Sequence, residues 1–253
     1  MKRFSPCAAL LAVCTLFPFA ANAASVTLIP TAGSFVSSAN TTANYGGAGA
    51  ITVSAAGLPN GEFRSLLKFD LSTAMSSFDS TYGAGQWTVQ SISLQLTATP
   101  PNNAVFNSPS AAGSLLISWM QNDSWTEGTG TPGSPTTTGI TWSTLPSLLS
   151  GSDQTLGTLS YNGATSGAFT SSLSLVSGLV GDTTAGQLAS MLLVANDSTV
   201  SGVFNSRSFG TASSRPMLTI TAVPEPGSAV LLFIGGLLTA RCLRRSPESE
   251  RGR

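Results

Sequence analysis

Asp123 and Glu127 lie four residues apart in Asn122-Asp123-Ser124-Trp125-Thr126-Glu127. Two carboxyls beside an aromatic are the equipment of a glycosidase. One carries a proton to the leaving oxygen, and the other attacks the sugar or activates water, across about 5 Å or about 6.5–9.5 Å. A loop can bring residues four apart to either spacing. A polysaccharide-active hydrolase or lyase using Asp123 and Glu127 is therefore one reading. The reading the sequence favours is structural: Glu127 takes backbone amides, or pairs with Arg64 or Arg207 inside the fold. The chain has no histidine, which excludes Ser-His-Asp and Cys-His catalysis and histidine-ligated metals. Its cysteines, Cys7, Cys14 and Cys242, all lie near the ends, so the central region has neither a thiolate nor a disulfide. No catalytic residue, resident metal or cofactor is expected, and the protein is read as not an enzyme. Calcium is the one cation the oxygen-rich turns Asn196-Asp197 and Asn122-Asp123 could hold. Short polar side chains bonding their own backbone explain both turns more simply.

The tryptophans are the stronger pointer, because sugar rings stack on exposed aromatic faces. Trp119 sits in an apolar run and Trp142 between Ile140 and Leu145, so both read as core. Trp125, between Ser124 and Thr126, is expected to be exposed and to bind ligand. Tyr45 and Tyr82, in turn-like contexts, are the secondary ligand-binding candidates.

These residues need a scaffold, and the pattern is that of strands. In Thr88–Thr99, Ile92, Leu94, Leu96 and Ala98 alternate with Ser91, Ser93, Gln95 and Thr97, the period-2 signature of a half-buried strand. Phe63–Leu71 places Phe63, Leu67, Phe69 and Leu71 opposite Arg64, Lys68 and Asp70. Leu115–Met120, Met191–Ala195, Pro216–Ala222, Ile51–Ala55 and Gly202–Phe209 also read as strands, and Ser172–Val180 and Thr184–Ala189 as short helices. Turn-rich stretches such as Gly46–Gly49 and Gly128–Gly139 separate them. The fold class is all-β, a jelly-roll-like β-sandwich. From Ala24 to Ala222 four basic residues face eight acidic ones, a net charge of −4. Nucleic acid is excluded for want of a basic footprint.

Both ends read as targeting segments. Lys2 and Arg3 precede an apolar run, and Ala21-Asn22-Ala23 is a small-x-small cleavage site at Ala21 and Ala23, so residues 1–23 are a secretory signal peptide. The sandwich then occupies 24–222. At the other end Val223-Pro224-Glu225-Pro226-Gly227 is a proline-stiffened hinge. An uncharged apolar stretch to Ala240 and a basic cluster, Arg241, Arg244 and Arg245, follow. Residues 227–240 would form a single transmembrane helix of about 21 Å, short of a core of about 30 Å, with the basic tail 241–253 on the cytoplasmic side.

The tail, on Pro224-Glu225-Pro226, the apolar segment and the arginine cluster, resembles the PEP-CTERM sorting signal of Gram-negative bacteria. That resemblance implies recognition and processing of 223–253 by a transpeptidase-like membrane enzyme, an exosortase. It also implies a destination at the cell surface or in an exopolysaccharide matrix, by way of an inner-membrane-anchored precursor. The ordered set Asn44-Tyr45-Gly46-Gly47, Ile51–Ser54, Arg64–Ser72, Val89–Leu96, Trp119, Trp125-Thr126-Glu127, Ile140-Thr141-Trp142, Phe204–Arg207 and Arg215–Ile220 is similar to the DNRLRE-type domain, a β-sandwich related to some carbohydrate-binding modules. Two departures stand out: Ser208 replaces the acidic residue the family tends to carry there, and Asn122–Pro146 is unusually rich in Gly, Thr and Pro. Together the resemblances imply a structural or adhesive surface protein that contacts extracellular polysaccharide.

Overall fold

Alternation of apolar and hydroxyl residues lays the strands down, and two antiparallel sheets result. The computed structural model describes residues 22–101 and 110–225. The expected signal peptide as far as Ala21, the tail from Pro226 on and Arg241, Arg244 and Arg245 lie outside them. Among the described residues no helix is long and apolar enough to cross a membrane; the span expected at 227–240 is outside them too.

The first sheet holds β1 (Ala24–Leu28), β5 (Trp87–Thr97), β8 (Ala168–Leu173) and β11 (Met217–Pro224), in the order β1-β11-β5-β8. The second holds β2 (Ala32–Ser37), β3 (Ala50–Ser54), β4 (Phe63–Asp70), β6 (Gly113–Met120), β7 (Gln154–Tyr161), β9 (Leu188–Ala195) and β10 (Ser201–Asn205). Its order is β10-β3-β4-β9-β6-β7, with β2 also paired to β4. Leu28, Ile92, Leu94, Leu218 and Ile220 from the first sheet meet Leu67, Phe69, Ile117, Met191 and Phe204 from the second in one buried cluster. Burial of such side chains is the main favourable term in folding. The architecture is thus all-β, two sheets over a shared core.

The second sheet differs from the expectation of one wet face. On its outer side Val36, Leu66, Met120 and Leu192 are buried under Trp125, Ile140 and Leu145. The Gly/Thr/Pro-rich segment after β6 lies over the sheet, so β4 is apolar on both faces at Leu66-Leu67.

Two helices correct the sequence reading. α1 (Ser72–Tyr82) buries Ala74 and Phe78, with Met75 and Tyr82 packed beside them against the core; its Ser- and Thr-rich composition masks that stripe at helical spacing. α2 (Ser177–Ala185) replaces the helices expected at Ser172–Val180 and Thr184–Ala189. Ser172 and Leu173 belong to β8, and Leu188 and Ala189 open β9. Left-handed Gly186, φ 63°, stops α2, as a glycine after a helix commonly does.

The ends of the described region meet. β1 and β11 pair with Ala24 opposite Ala222. The Tyr82 hydroxyl contacts the carbonyls of Asn22 and Ala222 at 2.6 and 3.1 Å. The ladder outruns the boundary expected at Val223: Val223 pairs with Thr88, Pro224 with Trp87, and the Glu225 amide donates to the Gln86 carbonyl at 2.9 Å. Proline fits there because β1 has no residue opposite Pro224, leaving that side of the strand an edge.

Candidate functional site

The segment from Trp119 to Trp142 carries most of the candidate residues, and a clamp on Asn44 holds it down. Asn44 is fully buried. Its Nδ2 donates to the carbonyls of Glu127 and Ile140, both at 2.8 Å, and its Oδ1 accepts the amides of Gly46 and Gly130 at 3.1 and 3.2 Å. The glycines allow the backbones to touch. A Cβ on Gly130 would stand 1.9 Å from the Asn44 carbonyl oxygen, and one on Gly46 2.0 Å from that of Glu127. The Asn44-Tyr45-Gly46-Gly47 motif is therefore architectural. Tyr45, expected in a ligand-binding turn, is buried and stacked on Phe35 with centroids 4.6 Å apart. Burial raises its phenol pKa, with a hydrogen bond to Asn40 opposing.

Trp125 also departs from expectation. It is only 4% exposed. Its indole N–H donates to Ser190 Oγ at 2.8 Å, and the Lys68 ammonium lies 4.5 Å from its ring centroid. Lys68 Nζ also donates to the carbonyls of Asp123 and Trp125 at 2.7 and 2.5 Å. Burial lowers the Lys68 pKa, against the opposing charge of Asp123. One lysine from β4 thus ties both the ring and the backbone of the covering segment, and a face given over to a cation leaves no stacking platform for a sugar. Arg64 sits 4.7 Å over Trp142 in the same manner. Trp119 is core, as expected. Tyr82 is half-buried, its hydroxyl on the carbonyls of Asn22 and Ala222.

The carboxylates separate. Glu127 accepts Arg207 Nε at 2.7 and 2.9 Å and Arg207 Nη2 as well, and takes the Gly33 amide at 3.0 Å. Its side chain retains 16% exposure. That is the structural role the sequence favours, with Arg207 the partner rather than Arg64; Arg64 pairs with Glu62 at 2.6 Å. The Glu127 hydrogen bond raises the Arg207 pKa. A two-carboxylate mechanism needs both groups free across one sugar site, and Glu127 is not free.

Asp123 instead shares its surroundings with Asp182 of α2, a residue with no signal in its neighbourhood along the chain. Burial raises the pKa of Asp123, with hydrogen bonds from Ser190 and the charge of Lys68 opposing. Burial raises that of Asp182 too, against a hydrogen bond from the Trp119 indole at 2.6 Å, and the Asp123 charge adds to the rise. Such a pair holds protons above the ordinary carboxylate range. An open groove of about 180 Å³ is lined by Ser124, Trp125, Thr126, Ile140, Thr144 and Leu148 among others. None of Asp123, Glu127 and Asp182 lines it.

No protein-family model matches this chain, and no curated protein matches it.

In the turns considered for calcium most side-chain oxygens meet backbone amides, while Asp123 Oδ1 is buried without a hydrogen-bond partner. Asn122 Oδ1 accepts the amide and hydroxyl of Ser124 at 2.9 and 2.6 Å. The Asp197 carboxylate takes the amides of Ser114, Thr199 and Val200 at 2.6, 3.0 and 2.8 Å, and these hold its pKa down to about 2. Among the described residues no group of three or more His, Cys, Asp or Glu side chains is placed to hold a metal ion. Of the processing residues, Ala23 is exposed just before β1 and Pro224 and Glu225 close the β11 ladder; Pro226 lies outside the described residues.

Proposed function

We propose that the chain is an exported surface or extracellular-matrix protein whose DNRLRE-like, jelly-roll-type sandwich serves as a structural or adhesive module in contact with polysaccharide. Its C-terminal signal, residues 223–253, is recognised by an exosortase-type enzyme while the segment at 227–240 holds the precursor in the inner membrane. The observation that carries this reading is the junction of the two ends. The residue after the expected signal cleavage, Ala24, is paired with Ala222, and the Pro-Glu-Pro segment leaves the ladder directly at Glu225. Both membrane-directed segments thus attach to one end of the sandwich with no spacer, as suits cargo held at a membrane surface by either. The commitment of Glu127 to Arg207 and Gly33 favours this over a hydrolase or lyase on Asp123 and Glu127.

The test is a chain ended after Glu225, which keeps every strand, expressed in a bacterium that carries an exosortase. The shortened protein is expected in the periplasm or medium, against cell-surface or matrix placement of the full chain. Normal surface placement of the shortened protein, followed by cell fractionation, would defeat the proposal.

A further inference from the structure

The two sheets treat their outer faces differently. That of the second sheet is buried beneath the segment after β6. That of the first is open, and its register sets side chains in rows across the strands. Thr27, Thr219, Ser93 and Ser172 form one row through all four strands. Ser25, Thr221 and Ser91 form the next, and Met217, Gln95 and Thr170 the one on the other side. Hydroxyls within the rows already bond each other: Ser25 with Thr221 at 2.8 Å and Thr27 with Thr219 at 3.0 Å. None of these four strands contains a charged residue. The alternate positions, Val26, Ile92, Leu94, Leu218 and Ile220, face the core, so the hydroxyl register is fixed by burial on the other side.

We infer that the outer face of the β1-β11-β5-β8 sheet is a docking surface for a neutral polysaccharide, gripped by its hydroxyl rows rather than by aromatic stacking. This rests on the reading above that the domain contacts polysaccharide, and it moves the contact from Trp125 to the opposite sheet. Charge selects the partner class. A face without lysine or arginine has nothing to offer a polyanion or nucleic acid, and one without carboxylates nothing to offer a polycation. A second copy fits poorly, because stable interfaces need an apolar centre and Met217 is the only large apolar side chain in these rows. An uncharged polymer of hydroxyls matches group for group. Strands lie about 4.8 Å apart, roughly the length of one pyranose residue, so a glycan lying across the strands meets a hydroxyl at each sugar. Cross-strand bonding holds the side chains ready and lowers the ordering cost of binding. Single contacts of this kind are weak, and the gain comes from many along one chain.

Affinity electrophoresis of the full chain in mild detergent, through gels containing dextran, hydroxyethyl cellulose or a glucomannan, with alginate as the charged control, tests the inference. Retention is expected in at least one neutral gel and not in alginate. The Thr170→Val/Thr219→Val/Thr221→Val protein keeps shape and strand preference while removing three hydroxyls. Ser91→Glu adds one charge at an exposed position. Each is expected to weaken retention at least about tenfold, with the far-ultraviolet dichroism unchanged, while Trp125→Phe is retained like the wild type. Equal retention of the wild type and both face variants would overturn the choice of face and leave the polysaccharide reading standing. No retention of the wild type in any neutral gel would remove both, and retention in alginate alone would overturn the neutral partner. A dimer in sedimentation that the valine variant abolishes would assign the face to a second copy and overturn the inference as well.

Discussion

Glu127 and Asn44 show what residue chemistry does here: both close the fold rather than open a site. Glu127→Gln preserves shape and removes the charge facing Arg207. Charge-assisted hydrogen bonds contribute about 1.5–3 kcal/mol, and with Arg207 partly in solvent a loss of about 1–2 kcal/mol is expected. Urea denaturation followed by tryptophan fluorescence measures it. Asn44→Ala should cost more, upwards of about 3 kcal/mol, since several buried groups lose their partners together. The titrating residues act in opposite directions. Asp197, held down to about 2, contributes stability that is present above the ordinary carboxylate range and is lost as pH falls from about 4 toward 2. Asp123 and Asp182 are raised, so they favour the folded state below about pH 4 and that contribution fades as pH rises through their folded values. Thermal midpoints of the wild type and Asp197→Asn should therefore differ at pH 6 and converge near pH 2. In Asp182→Asn the decline in stability above pH 4 should be shallower than in the wild type.

At the scale of elements, the segment after β6 behaves as part of the core. Trp125→Phe loses the bond to Ser190 and should cost about 1 kcal/mol. Trp125→Ala empties the space under Lys68 and should cost about 3–5 kcal/mol. Amide exchange should speed up from 122 to 146 in the alanine variant while β5 and β11 stay protected, because those strands do not touch the cluster that Trp125 anchors. This element also marks how far the sequence could be read. β4, β5, β6 and β11 are legible because one face of each alternates against the core. β7 is not, since its extra residue Leu156, set against the Ile117/Ser118 step of β6, and Gly157 with φ 142° break its period. β8, half of it hydroxyl residues, carries too few apolar residues to stand out. Trp125 is misread for a different reason: its neighbours in the chain are polar, but Lys68 and Ser190 cover it from strands far away in sequence. The Glu127 role is legible because a carboxylate drawn into the fold needs donors, and the region from 24 to 222 offers few cations, Arg64 and Arg207 among them. Asp182 is not, because nothing local relates α2 to Trp119.

At the scale of the molecule, the chain closes on itself. Among the described residues β1 is the first strand and β11 the last, and their pairing makes the sheet depend on both ends of that region at once. Ser25 and Thr221 lie 196 residues apart and face each other across the β1–β11 pair with hydroxyls at 2.8 Å, a placement within reach of a short covalent bridge. The double variant Ser25→Cys/Thr221→Cys is expected to cross-link under mild oxidation. Closing so long a loop should raise stability by about 2–5 kcal/mol, read as a shift in the denaturation midpoint that dithiothreitol reverses. Failure to cross-link under mild oxidation would mean that the two ends are not paired in solution. The consequence reaches past stability. On the function proposed above, with a leader and a tail both held at one membrane, locking β1 to β11 while those segments are still attached imposes no strain on the sandwich. The cross-linked protein should then be exported and sorted as the wild type is. A block in its sorting would show instead that the β11 end must peel from β1 before the Pro-Glu-Pro segment can be processed.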